Sequence, residues 1–211
     1  MPSRRPARWR RRKADRPGEI LAAALEVFAE KGFAGARLDE IAARAGVSKG
    51  ALYLYFETKQ QLFAAVVREL ATPDLEAARA MAAGYHGRFA ELAPLLLALL
   101  AKIAASGPLP QVAKMLVGEA RNFQDLARDW HREVIERAVD LTAELIAGAQ
   151  SRGEIRPGDP RIYALSLIGP LLAAVVWREA FVPVGAPPID LQALAAQHAG
   201  AILHGLLAAP A

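Results

Sequence analysis

Apolar positions along this chain recur with the period of a helix, and between residues 38 and 59 that pattern is broken by a tight turn. Leu38, Ile41, Ala42 and Ala45 fall at i, i+3, i+4 and i+7 and give one helix its apolar face. Asp39 and Glu40 occupy its first turn, where carboxylates favour the positive end of the helix dipole. Gly46 supplies the left-handed residue that ends many helices. Ser48 is placed to cap a second helix, on which Leu52 and Phe56 share the inner face. Two helices joined by a short turn containing glycine form the helix-turn-helix signature, whose second helix enters the major groove of DNA.

With Leu52 and Phe56 turned inward, Ser48, Lys49, Gly50, Ala51, Tyr53, Leu54 and Tyr55 are left for the outer faces and flanks. Ammonium and phenol groups bind phosphate, glycine permits close backbone approach, and an alanine methyl meets a thymine methyl. Lys59, opening the next helix, is a candidate phosphate clamp. The spacing alone also fits an ordinary helical hairpin with partly buried aromatics.

The flanking sequence narrows the choice. ILAAALEVFAEKGFAGARLDEIAARAGVSKGALYLYFETKQQLF, from Ile20 on, resembles the tetracycline-repressor (TetR) family of transcriptional regulators in a single register. The resemblance rests on the Lys31-Gly32-Phe33 helix end, the Gly46-Val47-Ser48-Lys49-Gly50 turn, and the Leu52-Tyr53-x-Tyr55-Phe56-x-x-Lys59 tail. It implies a homodimer that binds a palindromic double-stranded DNA operator and pairs through its last two long helices. Two positions depart from the family pattern. Ala36 followed by Arg37 stands where a threonine is common before the first of the two helices, so that a hydroxyl cap is missing and Arg37 becomes a backbone contact. Ala51 replaces a frequent threonine on the base-facing surface.

Downstream, Leu62, Phe63, Val66, Val67 and Leu70 continue a long helix in which Pro73 is a kink or a new start. The interval from Gly84 to Gly87 breaks the pattern. The spacing then predicts helices over 89–105, 112–123, 126–149, 162–181 and 191–207, with a loop at 107–110, a turn-rich connector at 152–160 and a proline-rich loop at 181–188. The helix 162–181 is apolar nearly all round and must be buried on more than one side, which a second copy would provide. The resemblance implies pairing through the last two long helices, so 162–181 and 190–207 are the candidate dimer helices. Its 16 residues without charge between Arg161 and Arg178 fall short of the roughly 20 a bilayer core needs, and Gly169-Pro170 interrupts them. No membrane span is expected.

Composition adds a fold class and an asymmetry. The chain has 211 residues, 54% hydrophobic and 7% aromatic, rich in the helix formers alanine and leucine, and no stretch reads as a sheet. The expectation is an all-α protein with a three-helix N-terminal domain over 17–62, the motif lying at about 38–57, and a helical ligand-binding and dimerisation domain over 63–211. Eight basic residues against Asp15 alone give residues 1–16 a charge of +7, which leaves −3 for the rest of a chain of net charge +4. Such an arm is expected to be disordered by itself and drawn to phosphate, in the manner of a homeodomain arm in the minor groove. Glu19, Glu26 and Glu30 in the following segment argue against a signal peptide, and the chain reads as cytoplasmic.

No enzymatic constellation stands out. The four histidines have no metal-ligand spacing, cysteine is absent, and there is no phosphate loop or nucleophile elbow, so neither metal nor cofactor is expected. The middle helices more naturally enclose a small hydrophobic effector. Candidate walls are Phe89, Leu96, Met115, Phe123, Trp130 and Trp177, with Arg121, Gln124 and His131 as polar contacts; each fits a core position equally well. The sequence thus reads as a ligand-responsive repressor. An activator or ligand-independent regulator of the same fold, or a helical protein-interaction adaptor, are the alternatives.

Overall fold

The computed structural model describes residues 8–105, 110, 112–115 and 122–206, with side chains from Arg16 to Gly205. All regular structure among them is helical, as the composition requires. The chain divides into two compact units between Glu69 and Leu70, a point inside a continuous helix.

The first unit is built on α1 (Arg8–Gly35), α2 (Leu38–Arg44), α3 (Lys49–Tyr53) and the start of α4 (Lys59–Ala83). Ile20, Ala23, Ala24, Val27 and Phe28 recur at helical spacing on α1 and are buried. Gly32, at φ 69° and ψ 173°, breaks α1 and turns Phe33 into the core. There Phe33 stacks on Phe28 with centroids 5.6 Å apart, and the Phe63 ring meets both edge-on at 5.6 and 5.7 Å. Offset and edge-to-face pairs of this kind add stabilisation beyond their buried area.

Part of the basic arm is helical. Residues 1–7 lie outside the described ones, but the backbone from Arg8 onward is helical and runs through Pro17 without a break. Arginine, lysine and alanine are good helix formers, which offsets the lost hydrogen bond and the ring clash that an interior proline brings.

In the second unit, α4 continues to Ala83 through Pro73, which therefore neither ends nor restarts it. Next come α5 (Phe89–Ala105), α6 (Gln124–Trp130), a π-helical segment (His131–Glu136), α7 (Arg137–Ser151), α8 (Pro160–Ala180) and α9 (Leu191–Leu206). The expected single helix over 126–149 is thus two α-helices joined by a π-helical segment. Of the expected helix over 112–123, residues 112–115 are helical, Asn122 and Phe123 are not, and the stretch between lies outside the described residues. The core is formed by α5, α7, α8 and α9, with Phe89, Leu97, Ile146, Leu167, Leu171, Ala195 and Leu203 at its centre.

The ends of these helices are closed by side chains. Asp159 caps α8, accepting the Arg161 N–H at 2.8 Å ahead of Pro160, a residue suited to a first turn. Glu154 accepts the Phe89 N–H at 2.6 Å and so caps α5 from 65 residues away. The Arg152 guanidinium, 2.6 Å from the other Glu154 oxygen, and that N–H both hold the Glu154 carboxyl below its ordinary pKa.

The stretch Pro160–Val184 has the length and apolar composition of a membrane span, longer than the charge-free segment suggested. One face of α8 is nevertheless packed into the unit through Ala164, Leu167, Ile168, Leu171, Ala174 and Val175.

Candidate nucleic-acid interface and effector cavity

The turn between α2 and α3 is built by local chemistry. Gly46, at φ 67°, donates its N–H to the Ala43 carbonyl at 3.1 Å, and Val47 donates to Ala42 at 3.0 Å. These are the two bonds of a Schellman motif, and they satisfy carbonyls that the end of α2 would leave without partners. Ser48 then starts α3 by accepting the Ala51 N–H at 3.1 Å on its hydroxyl. Leu52 is completely buried beneath α3, while Phe56 is only half-buried.

The outer surface of α3 presents the expected side chains. Ser48, Lys49, Gly50, Tyr53, Leu54 and Tyr55 are exposed, Leu54 at 84%, and Ala51 is half-buried. A Cβ added at Gly50 would meet nothing within 4 Å, so the backbone there is open to close approach. Lys49 Nζ sits 2.7 Å from Asp39 of α2, and this contact raises the Lys49 pKa. Arg37 is exposed at the N-cap position of α2 and makes no side-chain cap bond there, as the missing hydroxyl implies. It lies close enough to Lys49 for the two cations to repel.

Lys59 makes contacts within the first unit that its position does not suggest. Its ammonium donates to the carbonyls of Phe33 at 2.6 Å, Ala36 at 2.9 Å and Ala34 at 3.2 Å, and lies 4.5 Å from the centroid of the Phe33 ring. Three carbonyls match its three N–H donors. Lys59 staples the start of α4 to the segment joining α1 and α2. Ion pairs fix α2 against α1 as well. Arg44 donates to both Glu30 oxygens at 2.7 and 2.8 Å, and Lys31 donates to Glu40 at 2.7 Å.

The second unit contains a cavity of about 410 Å³, bounded by α4 from Ala71 onward, α5, residues near 110–113, α6, the π-helical segment, α7 and α8. Small residues make the space: Ala71, Ala78, Ala104, Ala113, Ala127 and Ala138 stand where larger side chains would fill it. Leu75, Leu100, Ile103, Val134, Leu171 and Val175 supply apolar walls. Among the described residues of this lining, Asp74 is the only charged one. Burial raises its carboxyl above the ordinary 3.8, and no neighbouring charge opposes the shift.

Comparisons with known proteins agree with this anatomy. The family profile described as "Bacterial regulatory proteins, tetR family" matches residues 20–66, and that described as "AefR-like transcriptional repressor, C-terminal domain" matches residues 90–203. The chain belongs to the TetR family. Its relatives include the HTH-type transcriptional regulator RutR of Escherichia coli, 34% identical over 142 residues, a match covering 67% of this chain and 65% of RutR. The chain therefore spans just under two thirds of that relative. The HTH-type transcriptional activator FasR of Mycolicibacterium smegmatis is 46% identical over 70 residues, covering 31% of this chain and 32% of FasR. Among solved structures, a TetR-family transcriptional regulator from Mesorhizobium loti superimposes with a TM-score of 0.79 at 26% identity, covering 93% of this chain and 99% of that one.

Within this TetR-family chain, eight of the nine residues expected around a ligand are described, and of these the cavity includes only Trp130. Phe89 is in the main core, and Leu96 packs in a smaller buried cluster with Ala78 and Leu141. Trp177 donates its indole N–H to the Pro187 carbonyl at 2.9 Å and packs against Phe181 at 5.3 Å. Phe123 and Gln124 mark the start of α6, His131 is exposed, and none of the three touches the cavity; neither does Met115. Arg121 lies outside the described residues. Size and aromaticity single out residues that fill space, whereas a cavity is made by residues that leave it open.

Proposed function

We propose that this regulator is a homodimeric repressor that binds a palindromic operator through α3 and leaves it when a small apolar effector fills the cavity of the second unit. The observation that carries the reading is the exposed face of α3, with Lys49, Gly50, Ala51, Tyr53 and Leu54 held outward by the Ser48 cap and buried Leu52. Arg37, Tyr55 and Ser48 extend that face toward phosphates. The helical basic segment from Arg8 adds contacts to the DNA backbone or minor groove.

Dimerisation is supported by α8 and α9. Ile162, Leu165, Leu172 and Val176 form an apolar stripe exposed on α8, and the exposed face of α9 carries Ala193, Ala196, Gly200 and Ala201, which allow close helix approach. Large apolar side chains left in water beside small ones suit a four-helix interface with a second copy. Two-fold pairing then presents two copies of α3 to half-sites about one helical turn, roughly 34–36 Å, apart.

Coupling runs through α4, which carries Ala71, Asp74, Leu75 and Ala78 into the cavity wall and extends back into the first unit. Pro73 lacks the N–H that would bond the Glu69 carbonyl, so the helix is weakened where the two units divide. An effector shifts DNA affinity only by its differential affinity for the state in which the two α3 helices no longer match the grooves. FasR carries the name of an activator, which favours activation as the second reading.

Hydroxyl-radical footprinting on DNA upstream of the protein's own coding sequence tests the proposal. Two protected patches one helical turn apart support it; one patch, or none, contradicts it.

A further inference from the structure

We propose that the effector is a lipophilic amine, with an alkyl or aryl body in the apolar cavity and an ammonium group paired with Asp74. The inference rests on the reading of the cavity as the effector site. A cavity of about 410 Å³ is the size of a small-molecule site, and such sites fix orientation with a few polar groups. Here the described residues of the lining supply one carboxylate, that of Asp74.

Among the described residues, Asp74 has neither a hydrogen bond nor an ion pair, although its neighbours on α4 are better served: Glu76, two residues on, lies 3.9 Å from Arg137. A half-buried carboxylate without a partner is unfavourable in the empty protein and is stabilised by a cation delivered with an apolar body. Trp130 lines the same cavity, and an indole face attracts ammonium groups. The same carboxylate disfavours fatty acids and other acyl anions, which bring like charge into a poorly solvated site. Neutral hydrophobic compounds fill the space but leave Asp74 alone.

Isothermal titration of the full chain at pH 7 with decylamine, decanol and decanoate, each below its aggregation threshold, separates these classes. Decylamine is protonated at this pH and is expected to bind about tenfold more tightly than decanol, the size of one charge-assisted hydrogen bond, with decanoate weakest. Asp74→Asn should remove that tenfold advantage while leaving decanol affinity and cooperative thermal unfolding unchanged. Decanol or decanoate binding as tightly as decylamine overturns the amine assignment and leaves the apolar effector site standing. An unchanged decylamine preference in Asp74→Asn also overturns it. Failure of all three ligands to bind overturns the effector site itself.

Discussion

The Lys59 ammonium lies 2.6 Å from the carbonyl oxygen of Phe33 and 4.5 Å from the centroid of the same residue's ring. One side chain thus closes the end of α1, the link to α2 and the start of α4 around the Phe28, Phe33 and Phe63 cluster. Charge-assisted bonds to carbonyls near a helix C-terminus, with a cation over an aromatic face, form a structural staple.

Lys59→Met should therefore destabilise the protein by about 2 kcal/mol through loss of charge-assisted bonds. Lys59→Arg should not restore it, because a planar guanidinium does not converge on three carbonyls as an ammonium does. Chemical denaturation followed by circular dichroism measures both. Wild-type stability with a large loss of DNA affinity would return Lys59 to the phosphate-binding set.

Acid should loosen the first unit through Glu30. Hydrogen bonding from Arg44 lowers its pKa in the folded state below the ordinary 4.5, so the unfolded chain binds more protons in the interval below that value. The stabilisation is present above pH 4.5 and is lost as pH falls through the folded value. Arg44→Met should flatten this part of the pH–stability profile; an unchanged profile would show the pair to be thermodynamically silent.

A charge in the α8 stripe should separate dimers from monomers. Leu165 is 50% exposed and does not line the cavity, so Leu165→Arg leaves both the fold and the effector site intact. Sedimentation should show a monomer with weak operator affinity. A stable dimer would place the interface elsewhere.

Removing residues 1–15 should lower operator affinity and reduce its dependence on salt, by roughly 0.9 in the log–log slope for each duplex phosphate that the arm neutralises. Anisotropy titrations over a salt series give the slope directly. An unchanged slope would mean the arm does not touch DNA.

How far the sequence can be read depends on how local each feature is. The α2–α3 turn is legible because Gly46 and Ser48 act on backbone groups within four residues, and Leu52 reports its burial by helical spacing. The contacts of Lys59 are not legible in the sequence because its partners lie 23 to 26 residues away and are carbonyls, which leave no trace in side-chain chemistry. The Glu154 cap on Phe89 spans 65 residues and is invisible for the same reason. The cavity is an absence created by alanines on separate helices, and no single segment signals it. Asp74, the one charge among the described residues of that lining, looks like an ordinary surface residue unless α4 continues through Pro73.

The most direct test is fluorescence anisotropy of the full chain on a duplex from its own upstream region, against scrambled DNA, for the wild type and Tyr53→Ala. The account predicts tight binding that saturates at two protomers per site, prefers the upstream sequence, and weakens when Tyr53 is truncated without loss of fold. Weak binding that ignores sequence, disappears with added salt and is indifferent to Tyr53 would contradict it.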